Sequence, residues 1–95
     1  VYWLSRNPAL TGLRELSLRG NGVTDDGVRT LAGMAGLGRL ECLDLTGNRV
    51  RDAGAKALID SPCLPALREL RLSRNPIGDR TWRLLEDRFG RALAG

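Results

Sequence analysis

The chain has 95 residues, room for one compact domain, and its 42% hydrophobic and 27% charged residues are those of an ordinary globular chain. No apolar run approaches the roughly 18 residues that span a bilayer, and no basic-then-apolar leader is present. The net charge is +4, with Lys56 the single lysine among 15 basic residues, but the arginines are spread along the chain beside acids rather than gathered as a nucleic-acid surface needs.

His is absent, which removes His-based acid/base chemistry, His triads and His metal ligands together. Cys42 and Cys63 are too few for a four-ligand zinc site or a disulfide scaffold. They read as free thiols of a reducing cytoplasm, with one intramolecular bridge as the alternative. No metal site and no cofactor is expected.

A step of 27 residues organises the chain. It relates Leu13, Leu40 and Leu67; Leu16, Leu43 and Leu70; Leu18, Leu45 and Leu72; Asn21, Asn48 and Asn75; and Val23, Val50 and Ile77. Leu31, Leu58 and Leu85 follow it, as do Leu10, Leu37 and Leu64. In chain order, residues 1–12 read as the second half of a truncated unit, Val1 matching Val28 and Leu4 matching Leu31. Complete units follow at 13–39 and 40–66, and 67–95 is a terminal unit with a C-terminal cap, all in one domain. Because Val1 begins inside a helical segment, the array is expected to extend N-terminally. The alternative is an unusual start, with Tyr2 and Trp3 shielding an exposed edge.

Within each unit the first half alternates apolar and polar residues, which predicts short half-buried strands at 15–18, 42–45 and 69–72. Leu16 and Leu18 then point inward and Ser17 outward. Strands one unit apart run in the same direction, so the sheet is parallel. The second halves read as helices. Asp25, Asp52 and Asp79 stand at their starts, where a carboxylate meets free N–H groups and the positive end of the helix dipole, and Thr24 is the candidate cap of the first. Apolar spacing follows through Val28, Leu31 and Ala32, then Ala55, Leu58 and Ile59, then Trp82, Leu85 and Phe89. Gly36, Pro62 and Gly90 punctuate the ends. After Leu85 the pattern is lost, and LLEDRFGRALAG predicts a charged helix closing the array, with Trp82 and Phe89 as cap residues. Strands pack about 4.8 Å apart and helices about 8–10 Å apart, so such an array curves with its strands inside.

The units read LRELSLRGNGV, LECLDLTGNRV and LRELRLSRNPI, that is LxxLxLxxNx(V/I). This resembles the leucine-rich repeat family. The period and the GxxxL spacing from Gly27 to Leu31 and Gly54 to Leu58 resemble its ribonuclease-inhibitor-like class, and ALIDSPCLPALREL resembles the helix-to-strand joint of bacterial members. The last unit departs from the pattern, with Thr81 in place of the Gly and Trp82 where Val28 and Ala55 stood. The resemblance implies an α/β solenoid, a curved horseshoe segment with strands on the concave face and helices on the convex one. It also implies that Asn21, Asn48 and Asn75 turn inward and hydrogen-bond neighbouring backbone.

The concave face is the usual binding surface of that family. Its columns here are Glu15, Cys42 and Glu69, then Ser17, Asp44 and Arg71, then Arg19, Thr46 and Ser73, with Arg74 added where Gly20 and Gly47 sit. The strip is polar, mixed in charge and free of aromatics. Its expected use is binding a protein partner, Asp44 and Arg71 first, then Arg19 and Glu69. Three strands give a patch on the order of 10 Å across, small beside an interface of ~800 Å² per partner, which favours a longer array. Catalysis is not expected. Glu15 and Glu69, two strands or roughly 9.6 Å apart, lie near the upper spacing of an inverting glycosidase pair, about 6.5–9.5 Å, but the face is open and lacks a sugar platform. Cys42 has no base. Arg29, Lys56 and Arg83 form a convex basic column among acids. Binding of nucleic acid or another polyanion through scattered Arg, and a purely structural segment that binds nothing, are the competing readings. No membrane association or small-molecule substrate is expected, and the chain is expected to be a monomer with edge self-association as the alternative.

Overall fold

The computed structural model describes residues 12–94. The expected half-unit, with Tyr2 and Trp3, lies outside them apart from Gly12. Strands β1 (Glu15–Ser17), β2 (Cys42–Asp44), β3 (Glu69–Arg71) and β4 (Leu93–Ala94) alternate with helices α1 (Asp25–Ala32), α2 (Asp52–Asp60) and α3 (Asp79–Phe89). Short 3-10 turns at Ala35–Leu37 and Gly90–Ala92 complete the path. The sheet runs β1-β2-β3-β4, every pair parallel.

Register follows the repeat. Leu16 pairs with Leu43, Leu43 with Leu70, and Glu15, Cys42 and Glu69 align beside them. The first three strands are each one residue shorter than predicted, yet the backbone ladder continues past them. Leu18 N–H donates to the Asp44 carbonyl at 2.9 Å and Gly20 N–H to that of Thr46 at 3.0 Å. Leu45 N–H and Gly47 N–H repeat this toward Arg71 and Ser73, both at 2.9 Å. The turns are therefore paired between rungs as the strands are.

The core lies between strand and helix layers. Val28, Leu31, Leu43, Leu45, Leu58, Leu70, Leu72 and Leu85 are fully buried there. Leu37, Leu40 and Leu64 close its lower side in the helix-to-strand joints. Complete burial of such a side chain is worth about 1.5–3 kcal/mol, so the leucine columns dominate the driving force.

Polar groups between rungs are satisfied by two columns and a single serine. Asn48 Oδ1 accepts from Asn21 N–H at 3.0 Å and Val23 N–H at 2.9 Å, while its Nδ2 donates to the carbonyls of Leu18 and Leu45. Asn75 does the same one rung on, accepting from Val50 N–H and donating to Leu45 and Leu72. Asn21 departs from the expected inward role. It is exposed, and among the described residues its side chain donates only to the Arg19 carbonyl. No rung before β1 is among the described residues, so Asn21 has none there to reach back to as Asn48 does.

The aspartates begin their helices as expected, but their carboxylates reach the next rung. Asp25 Oδ1 accepts from Arg51 N–H at 2.7 Å, and Asp52 Oδ1 from Gly78 N–H at 2.8 Å. Arg51 and Gly78 are the residues immediately preceding α2 and α3. Thr24 precedes α1 but makes no side-chain cap bond, which corrects its expected role. The buried Ser61 hydroxyl, alone at its frame position, donates to the Ala32 carbonyl at the end of α1 and accepts from Cys63 N–H.

The C-terminal segment also differs from expectation. α3 does form, with Trp82 and Phe89 half-buried against the core and the Arg88 guanidinium 5.0 Å over the Phe89 ring. The chain then enters a fourth parallel strand, in which Leu93 pairs with Leu70 and Ala94 with Arg71. Leu93 stands 23 residues after Leu70, off the 27-residue frame. The joint of residues 61–68 before β3 has contracted to the single turn Gly90–Ala92, so a search at fixed period passes over the strand.

Candidate functional site

The strand face carries the expected columns, but their residues are not equally available. Glu15, Ser17, Arg19, Arg71 and Arg74 are exposed, while Cys42, Asp44, Glu69 and Ser73 are half-buried. Thr46 is corrected: at 7% exposure it is buried and does not belong to the strip. It sits in the middle rung, flanked by rungs on both sides, with its hydroxyl turned to Asp44.

Two local networks organise the face. In the first, Asp44 Oδ1 accepts from Thr46 N–H at 3.0 Å. The Thr46 hydroxyl and backbone bonds, with Arg19 and Arg71 nearby, hold the Asp44 carboxyl below its ordinary value against a smaller desolvation effect. Asp44 thus pins the turn after β2. In the second, Glu69 takes Arg71 Nε at 3.1 Å and Nη2 at 3.3 Å, a two-point contact, and accepts the Cys42 thiol at 3.2 Å. Arg71 first and Cys42 second lower the Glu69 carboxyl.

The same contacts bear on the chemistry weighed from the sequence. Burial, then the Glu69 hydrogen bond and the charges of Glu69 and Glu15, push the Cys42 thiol up to about 11. The thiolate is thereby disfavoured at neutral pH. A glycosidic general acid needs a raised carboxyl pKa, whereas that of Glu69 is lowered. Cys42 and Cys63 are both free thiols.

Arg74 adds an observation that the sequence alone did not supply. Its φ is 59°, and it is the one non-glycine with positive φ among the described residues. Gly20 and Gly47, two and one rungs earlier in the same column, take φ of 67° and 69° without a Cβ. An L-residue in this region costs roughly 1–2 kcal/mol. The last rung therefore holds a cation at the rim where glycine is the relaxed choice. The substitution in the Gly20–Gly47 column was visible in the sequence; its backbone cost was not.

A column just outside the strip escaped the sequence reading. Glu41 lies between Arg14 Nη1 at 3.6 Å and Arg68 Nε at 3.8 Å, joining three successive rungs at the N-terminal ends of the strands. Its signal was the shared frame position of residues 14, 41 and 68, with charge alternating along it.

No curated protein sequence matches this chain. A family model described as leucine-rich repeat matches residues 9–32, 40–59 and 64–80. These stretches cover most of the chain and include β1, α1, β2, all but the last residue of α2, and β3, and the parallel register and the Asn48 and Asn75 bridges are those the repeat pattern requires. By motif, matched span and architecture, this chain belongs to the leucine-rich repeat family.

Proposed function

We propose that the chain is a non-enzymatic interaction module that recognises a protein partner on its concave strand face. Leucine-rich repeats generally mediate protein–protein interaction, and the reading rests above all on Arg74, a cation kept at the rim of that face at a conformational cost. Strain of this kind concentrates at functional positions. Exposed Arg19 and Glu15 join it as charges without an ion pair among the described residues. Arg71 is shared with Glu69, and Asp44 is committed to its own turn, so Arg19 and Arg74 take precedence over Asp44 as contacts. Mechanism here means rigid presentation: side chains fixed on hydrogen-bonded rungs lose little freedom on binding.

The helical backs of 8, 9 and 11 residues support the ribonuclease-inhibitor-like variety of the repeat. A cytoplasmic setting, in which Cys42 and Cys63 stay reduced, fits the same reading. Binding of nucleic acid or another long polyanion through Arg draws less support, because Arg29 and Arg71 are hydrogen-bonded to carboxylates and the arginines are spread along the chain.

The test is affinity capture from source lysate with nuclease present, using the chain, Arg19→Glu/Arg71→Glu and Arg74→Gly. Asp44→Arg is avoided because it would break the Thr46 turn. A protein captured after nuclease and lost with the charge reversal is the expected result. Arg74→Gly should weaken capture while raising unfolding stability by ~1 kcal/mol. Capture indifferent to both variants would remove the concave face as the site.

A further inference from the structure

A second surface lies at the opposite end of the strands from Arg74. The joints entering β2 and β3 enclose an open groove of about 590 Å³. Arg14, Arg39 and Arg68 stand on it with Glu41 as the one acid among the described residues, and Pro65 and Leu67 supply apolar wall. The described lining therefore carries two positive charges in excess. Neighbouring backbone donors are already used: Glu41 and Cys42 N–H both bond the Arg14 carbonyl, and Arg68 and Glu69 N–H both bond that of Glu41. At these four positions a ligand meets guanidinium groups rather than free peptide N–H.

Those guanidiniums remain open to an incoming anion. Arg14 and Arg68 side chains are 71% and 83% exposed, and they approach Glu41 only at 3.6 and 3.8 Å, beyond hydrogen-bond distance. Each guanidinium has five donors in a fixed fork suited to carboxylates. Glu41 draws two arms to the groove without consuming their donors, and Arg39 has no ion pair among the described residues. Arg14 and Arg68 stand two rungs apart, about 9.6 Å, with Arg39 in the joint entering β2. An extended peptide presents side chains on one face every ~6.6 Å, so alternate carboxylates fall within reach of flexible Arg side chains.

We infer that this groove binds an acidic, extended peptide segment, its carboxylates taken by Arg14, Arg39 and Arg68 and its apolar residues resting on Pro65 and Leu67. Among the described residues the groove has no aromatic side chain on which a base could stack, so peptide is favoured over single-stranded nucleic acid. The site is separate from the concave face and independent of its proposed role.

Fluorescence anisotropy tests it with the full chain and a short labelled peptide of alternating Glu and Leu. The Gln-for-Glu peptide and a thymidine oligonucleotide serve as comparison probes. Arg14→Gln/Arg68→Gln should weaken binding of the acidic peptide by about fivefold or more, in keeping with two exposed ion pairs of 0.2–1 kcal/mol each. Arg80→Gln/Arg83→Gln on α3, equal in net charge, should leave it within about twofold, and Arg19→Glu/Arg71→Glu tests the concave face separately. The double variants are checked for unchanged thermal unfolding, since their side chains are exposed. Equal loss in the α3 variant, or equal binding of the Gln peptide, would overturn the site. Tighter binding of the oligonucleotide, lost in the same Arg14/Arg68 variant, would overturn the ligand class.

Discussion

Asn48 and Asn21 occupy one frame position yet differ in what they hold. Asn48 is buried and satisfies backbone groups on two rungs, so its loss strands donors at Asn21 and Val23. A buried group left unpaired costs about 1–3 kcal/mol. Asn48→Ala is expected to lower stability by about 2–4 kcal/mol in urea unfolding, and Asn21→Ala by under ~1 kcal/mol. Ionisation of Cys42 gives a separate signature. The folded thiol titrates at about 11 against an ordinary 9.0, so its contribution is complete below pH 9 and is lost as pH rises toward 11. Cys42→Ser should flatten that alkaline decline in a pH series of unfolding curves. On the acid side, the lowered Asp44 and Glu69 carboxyls contribute above the ordinary carboxylate range, and their contribution disappears as pH falls through it.

At the scale of elements, the close approach of α2 to the start of α1 depends on Gly54. A Cβ there would stand 2.5 Å from Asp25 Oδ1 and 3.1 Å from both Asp25 Cα and Val50 Cγ1. The carboxylate could swing aside, but it would then release Arg51 N–H, and the backbone contact would remain. Gly54→Ala should therefore destabilise by about 1–3 kcal/mol despite the better helix propensity of Ala, as read by denaturant unfolding. Strand positions and register were legible in the sequence because alternation and a constant step report the same rung three times over. The starts of helices were legible through Asp25, Asp52 and Asp79. The destination of those carboxylates was not, because an acid at a helix start is equally consistent with capping its own helix. Thr46 was misplaced for a related reason: its outward frame position was read correctly, but burial between two flanking rungs is a property of neighbours.

For the whole molecule, stability and recognition are organised along one axis. Bonds between rungs run both ways, Asn48 reaching back to Leu18 and Asp25 reaching forward to Arg51. Each rung is completed by its neighbours, as expected of a quasi-one-dimensional array. The architecture and the concave columns were legible because they follow from periodicity. The groove of Arg14, Arg39 and Arg68 was harder to see because it is built from joints of adjacent units, and β4 because its strand arrives early. That early arrival separates contour length from register. Between Leu70 and Leu93 the path around the solenoid is four residues shorter than in the preceding turns, yet strand still meets strand in parallel. The helix-to-strand joint thus acts as a slack adjuster, and units of unequal length can be exchanged or grafted at that joint while the sheet stays aligned.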